Sequence, residues 1–489
     1  MCREVWSADD LTVALSEDGV HMPTVSTSPH RPESGISRRL RSGPLLLIAF
    51  AFAVMADPVS SVAYAVEAAL RALNGDLALL VPTMGLVVAI IALVIVNYRQ
   101  LVSRYPQGGG ASAAVGEAFG DGWSFIPVGA LVVDFVLTIA ISVSAGASAV
   151  IAYFPALAPY RLVLALGLVL LVGALTWFGH LGRLFFAILT IGFIIVAVAV
   201  LVYGLWAEPQ PTGTITDTPG HAVPLAIALA FPVAMALATG VEAPSSAIAQ
   251  LGQLDDGGRR RFGRVTLMLT LIVVGSITLG LAAEATKLRI GIPPAESTQI
   301  AELARVAAPA PLFAAFQLMT ALLLLSAASS SFQAGPGLLK ALAAEGSSGA
   351  EKVGILPAPL GRTNHHHTPY WGVVVFIALA GVVTAIAGGN DQELVLFYAV
   401  SVFLSFLAGL LAMARFSWRE RRIGSLILNI AGAVVVAFTL IANLSRGTPI
   451  VSLVAALAIA GGLFARWVRN GRPPGIRNAA AEAEEESDA

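Results

Sequence analysis

Apolar runs of about 20 residues recur along most of this 489-residue chain. A run of that length spans the ~30 Å hydrocarbon core of a bilayer as an α-helix, because each helical residue adds about 1.5 Å. The composition agrees: 57% of the residues are hydrophobic and 12% are charged, whereas a soluble domain is about 25% charged. The chain is therefore predicted to be an all-α polytopic membrane protein.

We count twelve membrane segments, numbered here in chain order. They cover approximately 44–73, 77–97, 123–153, 161–178, 184–205, 223–251, 265–284, 311–333, 370–387, 393–414, 424–443 and 449–468. This membrane domain (43–468) is flanked by a polar N-tail (1–42) and a short polar C-tail (469–489). The N-tail is predicted to be disordered and lacks the apolar stretch of a signal peptide. It carries the chain's single cysteine, Cys2, so we expect neither a disulfide framework nor a thiolate metal site.

Basic side chains are sorted between the predicted loops. Clusters at 38–42, 99–104, 259–264, 415–422 and 466–477 fall on the N-tail, on alternate loops and on the C-tail. Because Lys and Arg are enriched in cytoplasmic loops, this sorting predicts a multi-pass protein of the plasma membrane with both termini in the cytoplasm. The net charge of −1 says nothing about partners, and we expect no nucleic-acid partner.

Segments 1 and 6 are each interrupted near the middle. Segment 1 breaks at Asp57-Pro58, because proline lacks an N–H and disfavours the helical region for the residue before it. Segment 6 breaks at Thr239-Gly240, with Pro244 just beyond. Two breaks five segments apart indicate inverted five-helix repeats, segments 1–5 and 6–10, with a binding site at the bilayer midplane. An ordinary Gly or Pro kink is the alternative for either break alone.

Three carboxylates lie at membrane depth: Asp57, Asp134 and Glu242. An ionisable side chain there costs roughly 2.5–3.5 kcal/mol on insertion scales and is therefore a functional candidate. No Arg or Lys occupies the central span of a predicted segment, so these carboxylates need another cation or a proton. Capping of a broken helix is the alternative role. Because three neighbouring carboxylates cannot all ionise without penalty, we predict that Glu242 is the proton-coupling group.

Hydroxyl side chains accompany the carboxylates, and hydroxyl and carbonyl oxygens suit alkali ions. Thr138 and Ser142 follow Asp134 at helical spacing, so the three share one helix face. The candidate ligands for a cation or substrate are Asp57, Tyr64, Asp134, Thr138, Ser142 and Thr239. Of these, Asp57, Asp134 and Thr239 are the candidate alkali-ion ligands. Tyr398 is either an interface anchor or a gate on the cation path.

Four further features have less specific interpretations. Glu67 and Arg71, spaced i,i+4, are predicted to form a surface pair. The glycine-rich stretch 105–120 is predicted to be a re-entrant cytoplasmic loop, because it lacks the Lys-Ser/Thr ending of a phosphate loop. The polar run His365–His367 is interpreted as a solvated loop rather than a metal site. The small residues 326–332 of segment 8 are interpreted as a packing face, with ion binding as a second possibility.

Six stretches of the sequence resemble the amino acid–polyamine–organocation superfamily, and within it the KUP/KimA-type potassium uptake permeases. They are DPVSSVAYAVEAAL, YPQGGGASAAVGEAFG, VVDFVLTIAISVSAG, ATGVEAPSSAIAQL, SSSFQAGPGLLKAL and LVLFYAVSVFLSF. The resemblance implies a leucine-transporter-like fold and a proton-coupled cation importer. Because related permeases form homodimers, it also implies a homodimer here. It implies a potassium site made by Asp57, Tyr64, Asp134, Thr138, Ser142, Thr239, Glu242 and Tyr398.

The sequence departs from the family pattern in two places. Phe135 stands where the family has Tyr, which removes one candidate hydroxyl. The family's cytosolic C-terminal domain, which binds a cyclic dinucleotide, has no counterpart in the C-tail.

Three functions compete on the sequence alone. The first is proton-coupled uptake of potassium or a similar monovalent cation, and the second is transport of an amino acid or amine by the same fold. Amino acid carriers generally hold the substrate carboxylate on the amides of a glycine-rich break, whereas segment 1 offers an acid and no glycine. A channel or a sensor is the third. No nucleophile–base pair or cofactor motif is found, so we expect neither an enzyme nor a cofactor.

Overall fold

The structure is a computed structural model that describes residues 44–179, 182–216, 221–252, 254–343, 354–473 and 475–477. The predicted disorder of the N-tail lies outside the described residues. The α-helices are α1 (Pro44–Val54), α2 (Ala56–Ser60), α3 (Val62–Ala72), α4 (Leu80–Arg104), α5 (Gly110–Phe119), α6 (Phe125–Tyr153), α7 (Arg161–Trp177), α8 (Arg183–Gly204), α9 (Val223–Ala234), α10 (Ala243–Ala247), α11 (Asp256–Leu288), α12 (Gln299–Ala307), α13 (Ala310–Ala343), α14 (Tyr370–Ile386), α15 (Asp391–Arg419), α16 (Ile423–Leu444) and α17 (Ile450–Arg469).

The all-α polytopic prediction is confirmed. Within the described ranges, ten stretches are long and apolar enough to cross a membrane. The remaining two predicted segments differ from these ten for separate reasons. Segment 1 is divided into α1, α2 and α3, and α14 is apolar but only 17 residues long.

The most deeply packed helix is α6, which carries Asp134. Of its apolar stretch, 83% is buried inside the protein, and it contacts α13, α15 and α17 over much of its length. Small side chains on α6 permit this packing: a Cβ on Gly129 would lie 2.5 Å from the Ala456 carbonyl oxygen of α17. Asp134 is thus carried by a helix that is closely packed on several sides.

Two helices extend well beyond the predicted segments. Helix α11 begins nine residues before the predicted start of segment 7, and α13 continues ten residues past the predicted end of segment 8. The first turn of α11 is capped by Asp255, whose carboxylate accepts a hydrogen bond from Gly258 N at 2.8 Å. The predicted segments end earlier because hydropathy locates only the part of a helix that lies in hydrocarbon. A capped helix can continue beyond that boundary into the polar interface.

Two short helices, α5 and α12, occupy stretches interpreted as loops. Helix α5 lies within the glycine-rich stretch 105–120, where Gly109 and Gly110 take positive φ values of 87° and 46°. The N-cap of α12 is Thr298, whose hydroxyl accepts from Ala301 N at 3.3 Å.

Glu67 and Arg71 form the predicted pair at 2.8 Å, and Arg71 is exposed, but the surface location predicted for Glu67 is wrong. The Glu67 side chain is only 4% exposed, because its second oxygen accepts a hydrogen bond from Gln299 N at 2.9 Å and so caps α12.

Candidate functional site

The break in segment 1 is a kink that keeps most of the helical backbone. Its flanking residues Met55 (φ −77°, ψ −8°) and Ser61 (φ −63°, ψ −23°) stay in the right-handed helical region. Pro58 supplies no N–H, and the serine hydroxyls bond the carbonyls around it: Ser60 Oγ donates to Asp57 O and Ser61 Oγ to Pro58 O, both at 2.7 Å. The kink therefore presents the Asp57 carboxylate without exposing a run of free backbone groups.

The break in segment 6 is a true interruption. After α9 and a short 3₁₀ turn (Met235–Ala238), Thr239 is extended (φ −50°, ψ 134°) and Gly240 is left-handed (φ 68°). A Cβ at Gly240 would lie 2.7 Å from Asp57 Oδ2 and 2.9 Å from Pro58 Cδ. Only glycine therefore fits both the backbone conformation and the space, and the two breaks touch at this point.

Two side chains of segment 1 also bond to the break in segment 6. Ser61 Oγ donates to Leu237 O at 3.1 Å. The hydroxyls of Tyr64 and Thr239 lie 3.3 Å apart, and Thr239 Oγ1 donates to Ala236 O at 2.7 Å. Because a threonine hydroxyl has one proton, Tyr64 must be the donor to Thr239.

The remaining carboxylates approach from α6 and from the start of α10. Asp134 interacts electrostatically with Asp57, and the Tyr398 hydroxyl of α15 lies beside the Asp134 carboxyl. Glu242 immediately precedes α10, and its carbonyl accepts from Ser245 N at 2.8 Å. Asp57, Asp134 and Glu242 all line one cavity of about 60 Å³.

The cavity is walled by small, polar and aromatic groups. Gly240 and Phe135 lie beside the carboxylates, and Ser330 and Ser331 of α13 face them. From the carboxylates the cavity continues to Leu338, near the end of α13. Since one water needs roughly 10–15 Å³, the space holds about four to six water-sized molecules.

Two carboxylate oxygens of cavity-lining residues, Asp57 Oδ1 and Asp134 Oδ1, have no hydrogen-bond partner within the described residues, and neither do Thr138 Oγ1 and Ser142 Oγ further along α6. Some buried helix hydroxyls elsewhere, such as that of Thr190, donate to the carbonyl one turn earlier, whereas those of Thr266 and Thr278 also lack a partner within the described residues. Unpaired buried oxygens are costly, and a cation that they coordinate would remove that cost. The donor set consists of oxygen atoms, as an alkali ion prefers.

Comparison with known proteins decides the family. The family model described as "Amino acid permease" matches residues 45–465. The chain belongs to the amino acid permease family. The permease also resembles "Potassium transporter KimA" of Bacillus subtilis (strain 168), with 30% identity over 404 residues that cover 78% of this chain and 63% of that protein. The chain thus spans less than two thirds of that relative's length. The predicted superfamily is confirmed, and the protein is a membrane transporter.

The permease brings together most of the predicted site residues. Tyr64 and Thr239 are hydrogen-bonded across the two breaks, and the Asp57 carboxylate lies against Gly240. Asp134, Glu242 and Tyr398 approach them. Thr138 and Ser142 lie one and two turns beyond Asp134 on α6 and are 1% exposed, and no contact places them on the cavity wall. Their role as ligands stays a prediction.

Two features of the permease site went unrecognised or were given a secondary role. Tyr98 is 1% exposed and lies near Glu242, but sequence reasoning ended segment 2 at Asn97 because a basic stretch follows. Helix α4 in fact continues to Arg104. Ser330 and Ser331, interpreted first as packing residues, line the cavity. No group of three His, Cys, Asp or Glu side chains in the described ranges is arranged to hold a metal ion.

Proposed function

We propose that this transporter imports potassium or a similar monovalent cation together with a proton. The observation that carries the proposal is the cavity of about 60 Å³ bounded by Asp57, Asp134 and Glu242. Its carboxylates attract a cation, and Tyr64 and Thr239 extend the oxygen set across the two breaks. The relative named as a potassium transporter supports the same substrate class.

The backbone of segment 1 favours a bare cation over an amino acid. An amino acid carboxylate needs free backbone N–H groups at the break. Here Met55 N donates to Ala51 O and Val59 N to Met55 O, each at 3.0 Å, and Ala65 N donates to Ser61 O at the same distance. An anionic group next to Asp57 would in addition be repelled. The alternative, an amino acid or amine permease, is favoured by the family description, and in it Asp57 would bind the substrate amine.

Proton coupling follows from the number of carboxylates around one small cavity. Three acidic groups that share a site cannot all be ionised without mutual repulsion. One of them therefore exchanges its proton as the cation binds and leaves, and Glu242 is our choice because it immediately precedes the five-residue helix α10 rather than lying within a long helix.

We further propose that the protein lies in the plasma membrane with both termini in the cytoplasm, as the basic clusters favour. The membrane-domain boundaries 43 and 468 and the homodimer expected from the family belong to the same proposal. No bound cofactor is required by this mechanism, since the energy comes from the proton gradient.

The first test is uptake of radioactive rubidium, a potassium surrogate, into proteoliposomes with an inward proton gradient. Potassium should compete, whereas sodium and a mixture of amino acids should not. Asp57→Asn should abolish uptake, while Glu208→Gln, which removes an exposed carboxylate outside the site, should not. Accumulation of labelled amino acids without rubidium uptake, in protein that elutes as a folded species, would replace the cation proposal with the alternative.

Proton coupling has a separate readout in the same vesicles. Glu242→Gln should retain rubidium exchange at equal pH but lose the acceleration by the proton gradient. If the gradient accelerates uptake equally in Glu242→Gln and in the parent protein, Glu242 is not the coupling group.

A further inference from the structure

A second cavity, which shares no lining residue with the first, lies where α4 and α15 end and α11 and α16 begin. It has a volume of about 480 Å³. Four arginines line it, Arg99, Arg104, Arg264 and Arg422, together with one carboxylate, Glu420. The lining therefore carries an excess of positive charge in a concave site, where an anion is bound more strongly than on a flat surface.

Two of the four guanidinium groups are already paired. Arg104 contacts Glu420 at 2.5 Å and Glu117 at 2.7 Å, and it stacks 3.8 Å from the ring centre of Phe416. Arg422 lies 3.6 Å from Glu420. These contacts hold the Glu420 carboxylate in place, and its negative charge is neutralised by the arginines that it contacts.

The other two arginines have no carboxylate partner. In the described ranges of the chain neither Arg99 nor Arg264 forms an ion pair. Within the described residues, the Arg99 guanidinium donates to Met268 Sδ at 3.6 Å and the Arg264 guanidinium donates to Arg260 O at 3.1 Å. Guanidinium groups match phosphate oxygens in a bidentate geometry, so this pair is free to bind a phosphate.

The floor of the cavity is a fixed polar network rather than a flexible loop. Asn429 of α16 donates to Gln100 Oε1 at 3.0 Å and to Ser417 Oγ at 3.3 Å, and it accepts from Asn97 at 3.0 Å. Asn429 and Asn97 are 1% and 2% exposed. The network hydrogen-bonds α4, α15 and α16 to one another. It therefore holds α4, which carries Arg99 and Arg104, at a fixed distance from α15 and α16.

One wall of the cavity continues onto an apolar surface that faces outward. Leu428 lines the cavity and is 43% exposed, and on the same side of α16 Ile423 and Ile427 are 68% and 61% exposed. Trp418, 73% exposed, is placed as an interface anchor. A soluble phosphate would not contact this apolar surface, whereas the acyl chain of a lipid would pack against it.

We propose that this cavity, bounded by Arg99, Arg104, Arg264 and Arg422, binds the phosphate headgroup of an anionic phospholipid whose acyl chain lies along α16. Basic pockets between membrane helices are the sites that anionic lipid headgroups occupy. The proposal does not depend on which substrate the transporter carries, because the cavity shares no residue with the candidate transport site.

The test measures lipid retention by the purified full-length protein. The protein is incubated with equal amounts of phosphatidylglycerol and phosphatidylcholine, washed in detergent, and the retained lipids are quantified by mass spectrometry. We expect preferential retention of phosphatidylglycerol. Arg99→Gln and Arg264→Gln should each weaken it about fivefold, and together roughly 25-fold, as expected for the loss of one charge contact each.

The matched control is Arg261→Gln, which removes an exposed arginine of the same helix α11 that does not line the cavity. It should retain phosphatidylglycerol as the parent protein does. Equal retention of the two lipids, or an equal loss in Arg261→Gln and Arg264→Gln, would overturn the proposal. Glycerol 3-phosphate distinguishes the two sources of phosphate: if it displaces the lipid completely at millimolar concentration, the site takes a soluble phosphate and the lipid assignment is wrong.

Discussion

The breaks in segments 1 and 6 differ in kind, although both lie at the candidate site. In segment 1 the flanking residues Met55 and Ser61 remain helical, and serine hydroxyls bond the carbonyls at the kink. In segment 6 the chain becomes extended at Thr239 and left-handed at Gly240. The first break is a bend in a helix, whereas the second is a gap between two helices.

This difference assigns a separate task to each break. The kink of segment 1 supplies charge, because Asp57 points from its first turn toward the cavity. The gap of segment 6 provides space for that carboxylate, because Gly240 has no side chain where the Asp57 carboxylate lies. Substitutions that fill the gap should therefore harm the transporter more than substitutions that straighten the kink.

The largest effect is expected for Gly240→Ala. The left-handed backbone costs an alanine about 1–2 kcal/mol, and the added Cβ would overlap Asp57 Oδ2 at 2.7 Å and Pro58 Cδ at 2.9 Å. We expect rubidium uptake to fall by more than about tenfold and the free energy of unfolding to fall by about 2 kcal/mol. Rubidium, which should raise the melting temperature of the parent protein, should not raise that of the variant.

Gly85→Ala is the control for this substitution. Gly85 lies in α4, where a Cβ would meet no atom within 4 Å, so alanine should preserve uptake and add slightly to helix stability. Equal uptake by Gly240→Ala and Gly85→Ala would show that the gap is not needed for cation binding.

The bond between Tyr64 and Thr239 comes next, since it ties the two breaks together. Thr239→Val leaves the Tyr64 hydroxyl and Ala236 O without their partner, and we expect it to cost about 1–3 kcal/mol of stability. Tyr64→Phe removes only the donor and should cost less. In a double-mutant cycle the coupling should be about 0.5–1.5 kcal/mol. Additivity of the two changes, measured by unfolding in detergent, would contradict a direct bond.

Much of this architecture could be predicted because membrane constraints are strong. Apolar length located the membrane segments, ten of which form helices of membrane-spanning length within the described residues. Pro58 and Gly240 identified both breaks, since each residue has a local backbone effect. The carboxylates were recognisable for the same reason: Asp57 and Asp134 stand out in an apolar helix.

Tertiary contacts were not predictable in the same way. The pocket for Asp57 depends on the absence of a side chain 183 positions later at Gly240, and no local pattern reports such a contact. The burial of Glu67 depends likewise on Gln299 N. The basic residues after Tyr98 are typical of a loop, and segment 2 was therefore predicted to end before Tyr98, although the helix continues. Sequence reasoning was reliable for features set by one helix and failed for those set by two.

A smaller effect is expected for Ser61→Ala, which removes the hydroxyl that reaches from the kink to the gap. The single proton of the Ser61 hydroxyl is shared between Pro58 O, at 2.7 Å, and Leu237 O, at 3.1 Å. Both acceptors are buried carbonyls, so the loss should cost about 1 kcal/mol of stability and lower uptake about two- to threefold. Ser276→Ala, whose exposed hydroxyl bonds only within its own helix, should leave both quantities unchanged. A similar loss in the two variants would mean that the contact between the breaks contributes nothing.

The smallest effect is expected for Pro58→Ala. The helical bonds on either side of Pro58 are already made, from Met55 N to Ala51 O and from Val59 N to Met55 O, so alanine has little backbone to rearrange. We expect the free energy of unfolding to change by less than about 1 kcal/mol, and uptake to remain within about threefold of the parent protein. Because Pro58 packs on Gly240, the smaller alanine also leaves the gap open. If Pro58→Ala lowers uptake as much as Gly240→Ala does, the kink in segment 1 also shapes the space for the cation. The assignment of the charge to segment 1 and of the space to segment 6 would then be wrong.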